Sequence, residues 1–160
     1  MKKLLASLLC VAMIVCFMPT MAFAAEGETD SASPAEGETV AKIGEATYTT
    51  LQEAINAAKE GETTMVELLA NTTENITIPA NKKVTLNLNG KTLTNQSSDT
   101  ITVETGAELT IEGTGIVDNV THAKAALVNY GTTVLKGGTY TRSKEDAENN
   151  KGSAGKNSFY

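Results

Sequence analysis

The chain has 160 residues, of which 13 are basic and 19 acidic, so its formal net charge at pH 7 is −6. This negative charge disfavours nucleic acids and anionic membrane surfaces as partners, because both would repel it. Both cysteines, Cys10 and Cys16, lie in the segment that ends at Ala24, so the rest of the chain has neither a disulfide nor a cysteine metal site.

Residues 1–24 have the pattern of a secretory signal peptide. Lys2 and Lys3 precede an apolar run from Leu4 to Met18, and the segment ends with the small-residue sequence AFA. We expect cleavage after Ala24, and therefore a secreted or cell-surface protein. The remaining chain carries 11 basic and 19 acidic residues, a net charge of −8, and has no second apolar run long enough to span a bilayer.

Residues 25–39 read AEGETDSASPAEGET, which is acidic and almost free of apolar residues. Such a composition cannot bury a core, so we predict a disordered acidic linker.

Residues 40–62 predict a strand followed by a short amphipathic helix. The sequence TLQE at 50–53 fits a capping box, and Gly61 stands where a helix would end. Between them, apolar residues share one helical stripe at Leu51, Ala54, Ile55 and Ala58. The helix is predicted over residues 51–60.

Residues 63–142 alternate between apolar and polar side chains, and rows of about 25 residues align them in columns. The apolar columns are Ile76, Ile101 and Ala126; Ile78, Val103 and Val128; and Val84, Leu109 and Val134. A further column of Asn81, Gly106 and Gly131 predicts a repeated bend with positive φ.

These columns predict an all-β fold, a parallel β-helix solenoid with about 25 residues per rung. In this arrangement VTLNLNGKTLT, residues 84–94, pairs with LTIEGTGIVDN, residues 109–119. The third row fits less well, because Lys136 falls at the position of Leu86 and Ile111. A deletion of one residue after Val134 would instead turn Leu135 inward.

Three segments carry a resemblance to a known group: VAKIGEATYTTLQEAINAAKEGETT, VTLNLNGKTLT and NYGTTVLKGGTYT. The chain resembles, over about residues 40–142, the right-handed, pectin-lyase-like β-helix repeat regions of secreted surface proteins from gut Gram-positive bacteria. The resemblance is specific for the fold and not for an activity. It implies that the first strand and helix cover the N-terminal end of the solenoid.

Residues 143–160 predict a polar loop and the start of a truncated rung at Phe159 and Tyr160. We expect the chain to be the N-terminal fragment of a longer protein, or a short solenoid whose uncovered last rung self-associates.

An enzyme is the alternative to a structural role, because the pectin-lyase-like fold hosts polysaccharide lyases and glycoside hydrolases. A lyase needs acidic residues for Ca²⁺ and a basic residue for proton abstraction, and Arg142 is the only arginine. One row below the outward carboxylates Glu104, Glu108, Glu112 and Asp118 stand Asn129, Thr133, Gly137 and Ser143, so no acidic column forms. A hydrolase could use Asp99 with Glu104, or Glu108 with Glu112.

Other candidate site residues are few. His122 is either a general base beside Asp118 or an exposed loop residue, and we favour the loop residue. Tyr130 and Tyr140 are candidates for a sugar-stacking platform. We predict no catalytic residue, metal or cofactor, and a stalk or adhesin-like module that displays or binds glycans or host and cell-surface proteins.

Overall fold

The computed structural model describes residues 37–144, which contain thirteen strands and one helix. The elements are β1 (Ala41–Ile43), β2 (Ala46–Tyr48), α1 (Leu51–Ala57), β3 (Thr63–Leu68), β4 (Thr72–Thr73), β5 (Ile76–Ile78), β6 (Lys83–Asn87), β7 (Thr92–Thr94), β8 (Ile101–Val103), β9 (Glu108–Glu112), β10 (Ile116–Asp118), β11 (Leu127–Asn129), β12 (Thr132–Leu135) and β13 (Thr139–Thr141). The predicted signal peptide, most of the predicted linker and residues 145–160 lie outside the described range. No helix in that range is long and apolar enough to cross a membrane.

The strands form three sheets, and the chain visits the sheets in the same order at each turn. The first sheet contains β3, β6, β9 and β12, the second β4, β7, β10 and β13, and the third β5, β8 and β11. All ladders between these strands are parallel. The predicted fold class is therefore confirmed as a β-solenoid of about three turns, with about 24 residues per turn.

The predicted register is correct over the first two rows. Ile76 pairs with Ile101 in the third sheet, and Val84 pairs with Leu109 in the first. The bends before β6 and β9 both contain four residues, so the spacing is unchanged between these rows. The inward side chains of these strands are buried and form one continuous core.

The predicted columns are wrong in the third row. Ile101 pairs with Leu127 and not with Ala126, so this row begins one position later than predicted. Leu109 pairs with Thr133 and not with Val134, so the first sheet is reached one position earlier than predicted. The bend between β11 and β12 has only two residues, and the shift occurs there, before Val134. Leu135 does occupy the inward column below Ile111, as predicted.

The predicted bend column is correct at two of its three positions. Asn81 and Gly106 have φ values of 65° and 82°. Gly131 does not have positive φ, and it is needed for a different reason. A Cβ atom at this position would lie 2.4 Å from the carbonyl oxygen of Ala107 and 2.5 Å from that of Glu104. The shortened bend therefore packs its backbone directly against the turn before it.

The helix is shorter than the predicted 51–60, because it ends at Ala57. Ala58 already has a ψ of 140°, outside helical geometry, while Thr50 begins the helix by accepting a hydrogen bond of 3.1 Å from the Glu53 amide. Its buried face consists of Leu51, Ala54 and Ile55, which join the solenoid core. The helix thus closes part of the core with the stripe that the sequence predicted.

The N-terminal region holds a hairpin rather than the single predicted strand. β1 pairs antiparallel with both β2 and β3, and it extends the first sheet to six strands. Lys42 on β1 forms an ion pair of 3.1 Å with Glu67 on β3. The outer edge of β3, the first solenoid strand of this sheet, is therefore covered by β1.

Candidate functional site

A column of polar side chains runs along the solenoid at the bend from the second sheet to the third. Asp118 pairs with Thr94 on one side and with Thr141 on the other. The residues that follow these strand ends are therefore stacked, and the column consists of Glu74, Asn95, Asn119 and Arg142. The last three of these side chains are at most 3 % exposed.

The two asparagines of this column join successive turns by hydrogen bonds. Asn95 Nδ2 donates to the Ser98 carbonyl at 2.7 Å and to Thr121 Oγ1 at 2.6 Å, and its Oδ1 accepts from the Val120 amide at 2.7 Å. Asn119 Nδ2 donates to the same Ser98 carbonyl at 2.8 Å. Its Oδ1 accepts from the Thr121 amide at 2.9 Å. Buried amides need such partners, and here most of the partners are backbone groups of the bends.

Glu74 ends the column at the helix. Its two carboxylate oxygens accept from the amides of Leu51 at 2.9 Å and Gln52 at 3.1 Å, and one of them also accepts from Thr72 Oγ1 at 2.6 Å. A carboxylate at this position satisfies amides that the first helical turn leaves without an intrahelical partner. Glu74 therefore fixes the helix to the first turn of the solenoid.

Gln52 satisfies the edge of the third sheet. Its Nε2 donates to the Thr77 carbonyl at 3.0 Å, and its Oε1 accepts from the Thr77 amide at 2.7 Å. Thr77 is the middle residue of β5, the edge strand of this sheet. The glutamine amide thus takes the place of a neighbouring strand, which protects an edge that would otherwise be open.

The structure places the two candidate tyrosines in different surroundings. Tyr130 lies in the bend before β12 and is 67 % exposed. Tyr140 pairs with the buried Val117 in an inward column of the second sheet, and its hydroxyl donates to the Gly137 carbonyl at 3.0 Å. Burial raises the pKa of Tyr140 to about 12. The two rings therefore do not share an outward strand face.

Asp118 uses both carboxylate oxygens within the solenoid. Oδ1 accepts from Thr141 Oγ1 at 2.7 Å and from the Ser143 amide at 2.9 Å, and Oδ2 accepts from Ser143 Oγ at 2.6 Å. These bonds connect β10 to the turn that follows it. His122 lies exposed in the bend between β10 and β11.

The other candidate carboxylates are separated by extended strands. Glu108 and Glu112 lie at the two ends of β9, so their Cα atoms are about 13 Å apart. Asp99 lies before the bend at Thr100 that leads into β8, and Glu104 directly follows the end of that strand. Glu108 also forms an ion pair of 2.7 Å with Lys83 on the neighbouring strand.

An open groove of about 410 Å³ lies at the bend from the first sheet to the second, lined by Gly113, Thr114, Gly115, Lys136, Gly137, Gly138 and Thr139. Two of its glycines are required because the neighbouring turns are stacked too closely for a side chain. A Cβ atom at Gly137 would lie 2.3 Å from the Gly113 carbonyl oxygen, and one at Gly115 would lie 2.6 Å from that of Lys91. Within residues 37–144 no three side chains of His, Cys, Asp or Glu are grouped so as to hold a metal ion.

Comparison with known proteins gives no assignment, because no family model, no curated protein and no solved structure matches the chain. Sequence reasoning misses the polar column, because asparagine also stands at exposed positions such as Asn129. Their spacing in the chain is close to the length of one turn, which is the signal that could have found them. The spacing between Glu74 and Asn95 in the sequence is shorter than one predicted row. Rows of equal length therefore do not align these two residues.

Proposed function

We propose that the chain is a secreted or cell-surface β-solenoid of the pectin-lyase-like kind, which acts as a non-catalytic stalk or adhesin-like display module. The signal-peptide pattern of residues 1–24 supports export. The resemblance of residues 40–142 to repeat regions of gut Gram-positive surface proteins supports the proposed setting.

The main support is that Asp118 and Arg142, which were weighed as catalytic groups, form hydrogen bonds that hold the turns together. Asp118 accepts three hydrogen bonds from the following turn, and Glu74 binds the helix start. Arg142, the basic residue considered for proton abstraction, is buried and donates through Nε to the Lys124 carbonyl at 2.6 Å. Such use favours a rigid rod, since each turn is bonded to the next.

The outward strand faces supply the surface for display or binding. Thr85 and Thr110 are paired neighbours on the first sheet, and the hydroxyls of Thr73 and Thr94 are 3.0 Å apart on the second. Rows of hydroxyl groups can both donate and accept hydrogen bonds, which suits glycans and polar protein surfaces. These are the partner classes that we propose.

The proposal is tested by assaying the purified protein against a panel of plant and mucin glycans. We expect neither an increase in unsaturated-uronide absorbance nor a release of reducing sugar, with or without Ca²⁺. The variant Asp118→Asn and its control Glu45→Gln, a carboxylate in the hairpin, would be assayed beside the wild type. The proposal would be overturned by turnover that is lost in Asp118→Asn and kept in Glu45→Gln. Such a result would favour a polysaccharide lyase or hydrolase.

A further inference from the structure

The two ends of the described solenoid carry opposite charge. Residues 119–144, which form the last turn, contain no acidic residue and four basic ones: Lys124, Lys136, Arg142 and Lys144. Residues 37–62, which form the hairpin and helix, contain two lysines and five glutamates: Glu38, Glu45, Glu53, Glu60 and Glu62. The formal charges of the two segments are therefore +4 and −3.

Cations at both ends have partners within the chain. At the basic end, Lys124 lies 3.8 Å from Asp99, and the buried Arg142 donates to the Lys124 carbonyl, while Lys136 lies exposed.

The cations near the acidic end are paired as well. Lys42 pairs with Glu67, and Lys59 lies 3.5 Å from Glu62. Lys82 joins this end from the first turn, and its ammonium group donates to the Ala58 carbonyl at the end of the helix. With Lys82 included, the N-terminal end still has a formal charge of −2.

Within residues 37–144, the same sheet ends in a strand edge at each end. In the six-stranded sheet, β2 is the edge strand at the N-terminal end and β12 is the edge strand at the other. Because β1 is antiparallel to both β2 and β3, β2 runs in the same direction as β3 and β12. A second copy on the same axis would bring its β2 beside β12 as another parallel ladder.

Apolar side chains are exposed at the β12 edge. Val134 is 45 % exposed and Leu135 is 41 % exposed, although Leu135 continues the inward column of Ile111. An edge strand with apolar side chains favours pairing with another strand. At the opposite end, Ile43 and Tyr48 of the hairpin pack against the core and are only partly buried.

We propose that copies of this chain associate head to tail, with the acidic hairpin end of one copy on the basic β12 end of the next. The inference rests on the proposed stalk function and names its partner, a second copy. Complementary charge selects this orientation, because two like ends would repel each other. A head-to-tail contact that does not close into a ring extends into a rod.

Sedimentation velocity of the purified protein tests the orientation. Association is expected to rise with protein concentration at about 20 mM salt and to weaken at about 500 mM salt, because salt screens the charged ends. Two charge reversals, Lys136→Glu at the basic end and Glu45→Lys at the acidic end, should each raise the dissociation constant about tenfold or more. Lys91→Glu, a reversal in a bend on the side of the solenoid, is the control and should associate as wild type.

Mixing the two end variants decides between orientations. Each variant keeps one intact end, so an equimolar mixture should associate with wild-type affinity through the two intact ends. Normal association of Glu45→Lys alone would indicate a contact between two β12 ends and would overturn the inference. Monomers under every condition, or aggregation that ignores salt and both reversals, would also overturn it. These outcomes leave the glycan assay unaffected, so failure of this inference is distinguishable from failure of the proposed function.

Discussion

At the scale of single residues, the solenoid depends on a few buried polar side chains that bond both their own bend and a neighbouring turn. Asn119 is the clearest case, because its amide is fully buried and bonds the carbonyls of Ser98 and Ala125 as well as the Thr121 amide. Ser98 belongs to the previous turn, whereas Ala125 and Thr121 belong to the bend that Asn119 begins. The side chain therefore fixes the shape of the bend and its position above the previous turn.

Replacing Asn119 by Ala should lower the free energy of unfolding by about 1–3 kcal/mol, because the backbone groups that it satisfies would stay buried without a partner. The control is Asn129→Ala, which removes an exposed side chain on β11 and should change stability by less than about 0.5 kcal/mol. Urea denaturation followed by circular dichroism measures both. Equal effects would show that the polar column does not stabilise the stack.

Tyr140 gives a prediction about alkaline pH. Burial raises its pKa in the folded protein to about 12, above the value near 10 of an unfolded chain. The folded state thus favours the protonated phenol, and this contribution to stability is present below pH 10 and lost as the pH rises toward 12. Denaturation midpoints measured across this range should fall less for Tyr140→Phe than for the wild type. A parallel decline in both proteins would contradict this assignment.

At the scale of elements, the bends rather than the strands decide the register. Strands alternate inward and outward side chains whatever the bend length, so the alternation in the sequence predicted strands correctly. The bend between β11 and β12 has two residues, whereas the equivalent bend between β8 and β9 has four. The alternation of apolar and polar residues within the strands does not indicate this difference in bend length. Rows of equal length therefore placed Val134 below Leu109, whereas Thr133 pairs with Leu109.

The bend column yields a prediction that separates two reasons for glycine. Gly106 has positive φ and open space around its missing side chain, so Gly106→Asn should change stability by less than about 0.5 kcal/mol, as Asn81 already occupies the same bend with positive φ. Gly131 packs against backbone oxygens, so Gly131→Asn should cost about 1–3 kcal/mol. Thermal unfolding of the two variants would measure the difference, and the reverse order would refute the two explanations.

At the scale of the whole molecule, the described chain is a short rod whose turns are bonded through ladders, side-chain columns and an end helix. The sequence was sufficient for the fold class, since apolar alternation and a repeated bend recur at nearly constant spacing. It was insufficient for the polar column, because buried Asn95 and Asn119 have the same residue type as the solvent-facing asparagines around them. The candidate tyrosines illustrate the same limit, because only the ladder shows that Tyr140 faces inward while Tyr130 lies exposed in a bend.

The register of the parallel ladder is the claim on which the other conclusions depend, and cysteine cross-linking tests it most directly. The chain after Ala24 contains no cysteine, so introduced pairs report without interference. Thr85 and Thr110 are paired neighbours on outward faces of β6 and β9, whereas Thr85 and Glu108 are offset by two positions. Under mild oxidation, we expect Thr85→Cys with Thr110→Cys to form an intramolecular disulfide much faster than Thr85→Cys with Glu108→Cys. Equal rates for the two pairs, or faster closure of the offset pair, would contradict the stacked register.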